Sequence, residues 1–370
     1  MSALLHRLRG AATDAPRPGW TLGVLVVLVV AVTLGGQALG GAEFDRALST
    51  MLVYLVAVVG LHTFIGNSGV FSFGHVGFIA VGAYTTAAFR IPEGTKEAVF
   101  PGLPHTTLSP DAATLAGGIG AGIAGLVVAM VVSRLDGLAA ALATFAFLSI
   151  VFVVASNLKT VTGGQTGLFG VPLSTTPGAA LPWALFAIAV AWAFGETRAC
   201  LRLRATREDE VAARSLGIGV WRHRVLAFTV SAFLCGIAGG LLAQYLGTFN
   251  PQGFYLDLTL LTIAMLVVGG SRSISGAVVG SIFLALVREW LRHLEEGFSF
   301  GPLSVGGHPG LQNLGMSIAL LAVLLMIPTG LTKGRELGPL VAALLAPRRR
   351  RSRATTSRVA VPVNDERVTL

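Results

Sequence analysis

Residues 47–65 read ALSTMLVYLVAVVGLHTFI, and this stretch decides the fold class. It is 19 residues long and contains no Asp, Glu, Lys or Arg. An α-helix rises about 1.5 Å per residue, so a run of this length crosses the roughly 30 Å hydrocarbon core of a bilayer. The stretch therefore predicts a membrane-spanning helix.

The composition extends this prediction to the whole chain. Of the 370 residues, 53% are hydrophobic and only 12% are charged, and the mean hydropathy is +0.74. That charged fraction is about half the roughly 25% of a soluble protein, which is too little for a surface that faces water on all sides. The composition excludes a soluble enzyme, a disordered chain and a DNA-binding domain. We expect an all-α, polytopic protein of the cell membrane, with the lipid bilayer and no nucleic acid as partner.

Apolar runs divide the chain into a membrane domain and two flanks. We expect a cytoplasmic N-terminal segment at 1–20, a transmembrane domain at 21–330 with a cytoplasmic loop at 195–224, and a basic tail at 331–370 that is disordered and touches anionic lipid. The sixth, eighth and ninth of about ten predicted helices are short, which suggests tilted or broken elements. The ten runs are 21–39, 47–65, 72–89, 112–132, 138–156, 182–194, 225–246, 257–270, 276–288 and 312–328.

The positions of the charges predict the orientation. Ten spans place both termini on one side, and that side then holds 21 basic and 9 acidic residues, a net +12. The other side holds 6 basic and 9 acidic residues, a net −3. Cytoplasmic loops carry the excess of Lys and Arg in membrane proteins. Both termini are therefore predicted to be cytoplasmic, and the overall charge of +9 is an orientation signal.

The predicted spans carry few groups that could do chemistry. No Asp, Glu, Lys or Arg falls in the middle of a span, and only His62 and His75 are candidates for the interior. His62 is expected to be a packing residue. The sequence has no phosphate-binding loop, no catalytic triad and no cluster of metal ligands. We expect a protein that is not an enzyme, holds no cofactor or metal, and takes its energy from another chain.

Glycine-rich, uncharged stretches interrupt the helices at three places, 66–77, 162–172 and 269–280. Non-helical backbone at membrane depth is tolerated where it is buried in protein or lines a cavity. Small residues also allow close helix packing, which is the expected role of Gly77, Gly82, Gly276 and Gly280. The candidates for lining a translocation pathway are Asn67, Ser68, Gly69, Ser72, Gly74, His75, Gly269, Gly270, Ser271 and Ser275. The candidates for an external gate or a contact with an external partner are Thr162, Gly163, Gly164, Gln165, Thr166 and Gly167.

The cytoplasmic loop contains the sequence RATREDEVAARSLGI at 204–218. Acids at 208–210 precede helix-forming residues, and Gly217 is well placed to end a short helix. The pattern predicts a short amphipathic helix parallel to the membrane. Composition alone favours a solvated loop that orients the protein.

Four stretches together resemble the LivM-type permeases of branched-chain amino acid ABC importers. They are GNSGVFSFGHVGFIAVGAY at 66–84, TGGQTGLFGVP at 162–172, ATREDEVAARSLG at 205–217 and GGSRSISGA at 269–277. Their order is intact, and the resemblance runs from about residue 45 to residue 330. Arg272 stands where that family usually has glycine.

The resemblance implies a set of partners and a role for the loop. The partners would be a LivH-like second permease, two cytoplasmic ATPases of the LivG and LivF type, and an extracytoplasmic binding protein. The loop would hold the coupling helix, which docks in an ATPase cleft, and Val211 stands where importers generally have Glu. The implied ATPase-coupling residues are Glu208, Asp209, Glu210, Ala212, Ala213, Arg214 and Gly217.

The resemblance implies half of a translocation pathway for branched-chain or related amino acids. Urea or a short amide is the nearest alternative substrate, because urea importers share the permease family. A self-sufficient channel or secondary transporter is a rival from another class, and so is a structural subunit that never touches substrate.

Overall fold

The computed structural model describes residues 19–296, 298–300, 303–305, 310–327, 330–338 and 341. The described chain is predominantly helical, and the strands β1 (Phe298–Phe300) and β2 (Leu303–Val305) pair antiparallel in a short hairpin. Two 3-10 turns lie at Gly164–Thr166 and Pro251–Phe254. The helices are α1 Gly19–Leu39, α2 Ala42–Ser68, α3 His75–Arg90, α4 Glu93–Val99, α5 Pro110–Val132, α6 Gly137–Asn157, α7 Lys159–Thr162, α8 Pro177–Gly195, α9 Arg198–Glu208, α10 Glu210–Ser215, α11 Val220–Leu246, α12 Leu256–Gly269, α13 Ile274–Glu296 and α14 Leu311–Met326.

Within the described residues, eight helices are long and apolar enough to cross a membrane. This confirms an all-α, polytopic class, whereas the count of about ten stays a prediction. The predicted third span is the 16-residue α3, and the tenth is α14, whose apolar part is short. The sixth and ninth spans are longer than predicted, at 19 and 23 residues. The predicted N-terminal segment lies outside the described residues, apart from its last two positions.

The core forms around α2 and α11, which are the most deeply buried of these helices. α11 packs against α2, α3 and α5, and α2 also contacts α8 and α13. Glycine permits the closest approaches, since a Cβ on Gly82 would lie 2.2 Å from the carbonyl oxygen of Gly236. Likewise, a Cβ on Gly280 would lie 2.1 Å from the carbonyl oxygen of Met265. The predicted packing role of these glycines is confirmed.

The helix connections gather at two ends of the bundle. We call the end that contains the connections 69–74, 133–136, 196–219 and 270–273 the basic end. The end that contains residues 91–109, 158–176 and 247–255 is called the opposite end. Hydrogen bonds connect distant segments at each end, such as Arg204 to Asn67 at the basic end and Gln244 to Thr114 at the opposite end.

Residues 330–338 dock onto the turn between α12 and α13. The Glu336 carboxylate accepts hydrogen bonds from the backbone N–H groups of Ile274 and Ser275, at 3.1 and 3.2 Å, and from the Ser275 hydroxyl at 2.5 Å. The backbone N–H of Leu331 donates to the Val268 carbonyl. The first residues of the predicted disordered tail are therefore held against the bundle, whereas residues 342–370 lie outside the described residues.

Replacing Glu336 by Gln is expected to lower the free energy of unfolding by about 1–2 kcal/mol, because an amide nitrogen cannot accept the bonds of Ser275 at the N-terminus of α13. The change is measured as a lower thermal unfolding midpoint in detergent. Arg335→Gln is the matched control, since Arg335 is exposed and its side chain makes no hydrogen bond to another described residue. Equal midpoints for the two variants would show that the carboxylate does not stabilise the turn.

Candidate functional site

The connection between α2 and α3 holds the first group of predicted pathway residues. α2 ends at Ser68 because Gly69 turns the backbone into the left-handed region, with φ of 72°. Asn67, Ser68, Ser72 and His75 are all buried. Asn67 donates from its amide nitrogen to the Thr63 carbonyl at 3.0 Å and accepts from Arg204 Nε at 2.7 Å. The polar groups of this connection thus bind one another and α9.

His75 lies in an aromatic cluster inside the bundle. Its ring centroid is 5.6 Å from that of Phe64, 6.0 Å from that of Phe78 and 5.0 Å from that of Phe228. Its Nδ1 lies 2.7 Å from the Ser72 hydroxyl, and its Nε2 has no partner among the described residues. The side chain is buried and packs in the core.

The turn between α12 and α13 carries the second group of predicted pathway residues. Gly269 and Gly270 let the two helices meet, since a Cβ on Gly269 would lie 1.9 Å from the carbonyl oxygen of Gly276. The Ser271 carbonyl lies 3.0 Å from Nδ1 of the buried His62. Arg272, next in the chain, forms a 2.6 Å ion pair with Glu208 of α9. Arg272 therefore connects the α12–α13 turn to the loop that holds the predicted ATPase-coupling residues.

The predicted single helix of the cytoplasmic loop is divided into two. α9 ends at Glu208, and Asp209 begins α10 by accepting a hydrogen bond from the backbone N–H of Ala212 at 2.9 Å. α10 ends at Ser215, and Gly217 has the left-handed φ of 78° that the sequence predicted for a helix end. The division follows from Asp209, whose extended backbone caps a new helix.

Ion pairs hold α10 against the bundle. Arg224, at the start of α11, has a side chain only 6% exposed. Its Nη1 donates to Asp136, just before α6, and its Nη2 donates to Glu210 at 3.0 Å. Glu210 also pairs with Arg214 at 2.5 Å. The position of α10 is thus linked to α6 and α11 through one buried guanidinium.

A second arginine ties the loop to α2. Arg207 Nη1 donates to the carbonyl oxygen of Gly66, in the last turn of α2. Burial, together with the nearby Arg272, lowers the pKa of Arg207. The guanidinium still stays charged at neutral pH, because the ordinary pKa of arginine lies far above 7.

A cavity of about 400 Å³ lies between α10 and the helix ends. Ser68 and Gly69 line it from the first group and Ser271 from the second, whereas Arg207 and Glu210 line it from the loop. The structure therefore brings two of the three glycine-rich stretches together with the predicted coupling loop. The remaining predicted pathway residues do not line this cavity.

The third glycine-rich stretch lies at the opposite end. The Thr162 hydroxyl donates to the Ala155 and Leu158 carbonyls, at 2.6 and 2.7 Å, which fixes the start of the turn. Gly163 is partly buried, and Gly164 and Gly167 are buried. Only Gln165 and Thr166 of the predicted external contacts are exposed.

Two exposed aliphatic side chains lie at α10, one in its first turn and one just after its last residue. Val211 and Leu216 are each 81% exposed, far more than the aliphatic residues of the core. The sequence identifies Val211 only as a departure from the importer pattern, and it does not single out Leu216 as a functional residue. An aliphatic residue in a charged loop carries no signal of exposure in the sequence itself. Together they form an apolar tip that we call the α10 tip.

The described part of the chain holds no group of three or more His, Cys, Asp or Glu side chains that could bind a metal ion. Its two cysteines, Cys200 and Cys235, are free and buried. The candidate site at the basic end therefore consists of the ion pairs of α9 and α10, the cavity beside α10 and the exposed α10 tip.

Comparison with known proteins points to one family. A family model described as the permease component of branched-chain amino acid transport systems matches residues 44–327. The chain is 28% identical, over 349 residues, to the high-affinity branched-chain amino acid transport system permease protein LivM of Escherichia coli K12; the match covers 84% of this chain and 78% of that protein. LivM of Salmonella typhimurium LT2 is 29% identical over 362 residues, covering 88% of this chain and 81% of that protein.

A shorter match connects the chain to a second kind of permease. The high-affinity branched-chain amino acid transport system permease protein LivH of Escherichia coli K12 is 35% identical over 135 residues. The match covers 36% of this chain and 38% of that protein.

Proposed function

Because this chain belongs to the permease family of branched-chain amino acid transport systems, we propose that its basic end receives the mechanical work of partner ATPases through α10. The chain is a permease subunit of a branched-chain amino acid ABC importer. It is a non-enzymatic transport component and a multi-pass protein of the cytoplasmic membrane.

The proposed complex has four further components. A LivH-like permease forms the other half of the pathway, and the 135-residue similarity to LivH is compatible with two related halves. Two ATPases of the LivG and LivF type supply the energy, since this sequence has no phosphate-binding loop of its own. An extracytoplasmic binding protein delivers the amino acid to the opposite end.

The basic end is proposed to face the cytoplasm. Residues 195–224, which form the loop after α8 and the start of α11, carry seven of the chain's basic residues, and Arg134 and Arg272 lie in the other connections of this end. Short cytoplasmic loops carry such an excess of Lys and Arg. The ATPases are cytoplasmic, so this orientation places α10 where they can reach it.

The proposal rests on one observation: α10 has exposed apolar side chains and is also joined to the bundle by ion pairs. The α10 tip projects from the protein, whereas Glu210, one residue before Val211, is tied through Arg224 to α6 and α11. Glu208, just before α10, is tied through Arg272 to the α12–α13 turn. A displacement of α10 would therefore be transmitted to both groups of predicted pathway residues.

The test changes Glu208, Asp209 and Glu210 together to Ala in the reconstituted importer. Loss of the helix cap removes about 1 kcal/mol, and loss of the partly exposed ion pairs removes about 0.2–1 kcal/mol each. ATP-driven uptake is expected to fall by about tenfold or more while the permeases still assemble. Glu196→Ala is the matched control, since Glu196 is an exposed acid of the same end.

Several outcomes decide against the proposal. Wild-type uptake and ATPase stimulation in the triple variant would remove the coupling role of α10. Uptake by this chain alone in proteoliposomes, without ATP, would favour a self-sufficient channel or transporter. Uptake of urea in preference to leucine would place the chain with the short-amide importers, and a failure of leucine analogues to cross-link near Asn67 or His75 would favour a structural subunit.

A further inference from the structure

Three basic residues of the opposite end converge on one pocket. Arg46 of α2 and Arg288 and Arg292 of α13 line a cavity of about 300 Å³ between α2, α11, α12 and α13. The sequence places only six basic residues on the non-cytoplasmic side, and half of them meet here. Basic residues are disfavoured on that side, so their convergence indicates a site for an anion.

Arg288 presents an unneutralised charge to this pocket. Its Nη1 donates to the Tyr54 hydroxyl at 2.9 Å, and its Cζ lies 5.6 Å from the centroid of the Tyr54 ring. No carboxylate of a described residue pairs with it, whereas Arg292 pairs with Glu289 at 2.5 Å. A guanidinium has five N–H donors, so the aromatic ring fixes Arg288 and leaves donors available to a carboxylate.

Most of the remaining wall of the pocket is apolar, with Thr50 and Tyr245 as its further polar side chains. Met51, Leu242, Leu246, Leu258 and Ala285 line it from all four helices. The volume is at the lower end of the range for small-molecule sites, which combine an apolar wall with a few placed polar groups. A branched apolar side chain and a carboxylate on one small molecule would complement this wall and Arg288 together. Acidic Glu289 also lines the pocket and would complement an ammonium group on the same molecule.

A second cavity adjoins this pocket on the side of the predicted external contact. It measures about 290 Å³, and Thr166 of the third glycine-rich stretch lines it. Leu242, Leu246 and Gly253 line both cavities. A molecule released at Thr166 would therefore contact residues that also line the pocket at Arg288.

We propose that the pocket at Arg288 is the entry site of this subunit, where a free aliphatic amino acid binds before translocation. Arg288 binds the carboxylate, Tyr54 holds the guanidinium in place, and the aliphatic wall takes the side chain. The inference rests on the proposed function, because it needs an amino acid delivered to the opposite end.

The test measures access to the pocket in the assembled importer, without nucleotide, in nanodiscs of neutral phosphatidylcholine. Cysteine is introduced at Ala285, and maleimide labelling is followed with and without leucine; the native cysteines are buried and contribute little background. Leucine at ten times its dissociation constant is expected to slow labelling about tenfold, because the site is then open about a tenth of the time. Leucinol, which lacks the carboxylate, is expected to give no protection.

Arg288→Gln is expected to raise the leucine concentration for half-protection by about ten- to hundredfold, as for the loss of hydrogen bonds to a charged group. Lys159→Gln is the matched control, since it removes an exposed positive charge from the same end without altering the pocket lining. Leu246→Cys provides a second labelling position on the wall shared by the two cavities.

Four results would overturn the inference. They are an absence of labelling at both positions, an absence of leucine protection, equal protection by leucinol, and protection by anionic phosphatidylglycerol in place of leucine, which would identify a lipid headgroup site. The assay needs no ATP hydrolysis. An importer that takes up leucine while the pocket stays unprotected would refute this inference alone, whereas protection with uncoupled transport would refute only the role of α10.

Discussion

Replacing Val211 and Leu216 together by Asp is expected to abolish ATP-driven uptake. Both side chains are 81% exposed at the α10 tip, where the proposed ATPase cleft would enclose them. An uncompensated charge buried in such an interface costs about 3–5 kcal/mol, which corresponds to about two to four powers of ten in affinity. The ATPases should no longer co-purify with the permeases, and uptake in proteoliposomes should fall to background.

Two conservative changes separate docking from folding. Val211→Ile and Leu216→Met keep the tip apolar and are expected to retain ATPase binding and most of the uptake. The aspartate variant should keep the elution volume and thermal midpoint of the wild-type permease, because neither side chain belongs to the core. If the ATPases co-purify with the aspartate variant as fully as with the wild-type permease, the ATPase cleft binds a different surface.

Replacing Gly239 by Ala is expected to prevent stable folding. A Cβ at this position of α11 would lie 1.9 Å from the carbonyl oxygen of Ile79 and 2.9 Å from the backbone nitrogen of Ala83. These are backbone atoms of α3, so no side-chain rotation can relieve the overlap. Overpacking usually costs 1–3 kcal/mol, and the forced separation of two central helices should exceed about 3 kcal/mol of a total of about 5–15 kcal/mol.

The amount of monodisperse protein recovered in detergent, and its thermal midpoint, measure this effect. Gly23→Ala is the control, because Gly23 lies within α1 and a Cβ there would meet nothing within 4 Å. Alanine is favoured over glycine inside a helix by up to about 1 kcal/mol, so the control should be neutral or stabilising. A wild-type midpoint for Gly239→Ala would show that α3 and α11 do not pack this closely.

The sequence predicts the helices well because hydropathy reports burial in lipid directly. Its errors arise where other interactions extend a helix. The ninth predicted span stops at Arg288, where the charges begin, but α13 continues to Glu296 because Arg288 bonds to Tyr54 and Arg292 to Glu289. The sixth predicted span begins at Pro182, but α8 begins at Pro177, where Thr176 caps it.

The candidate site is less accessible to sequence reasoning. The local signals of the loop, an acidic start and Gly217 at the end, predict a helix there correctly. The link from Arg224 to Asp136 joins residues 88 positions apart, and no periodic pattern identifies such a pair. The pocket at Arg288 depends likewise on the packing of α2 against α13, where Arg288 bonds to Tyr54 across 234 positions of the sequence. The roles proposed for these residues stay predictions until transport is measured.

The docking of residues 330–338 also has a consequence for biosynthesis. Glu336, which completes the N-terminus of α13, follows Ser275 by 61 residues. At a synthesis rate of about 5–20 residues per second, the ribosome needs about 3–12 s to add that length. During this interval the α12–α13 turn, which contacts α9 through Arg272, lacks the hydrogen bonds that Glu336 accepts from it. Nascent subunits should therefore be most vulnerable to membrane proteases before residue 336 is added, and premature termination ahead of residue 336 should yield chains that are inserted yet rapidly degraded.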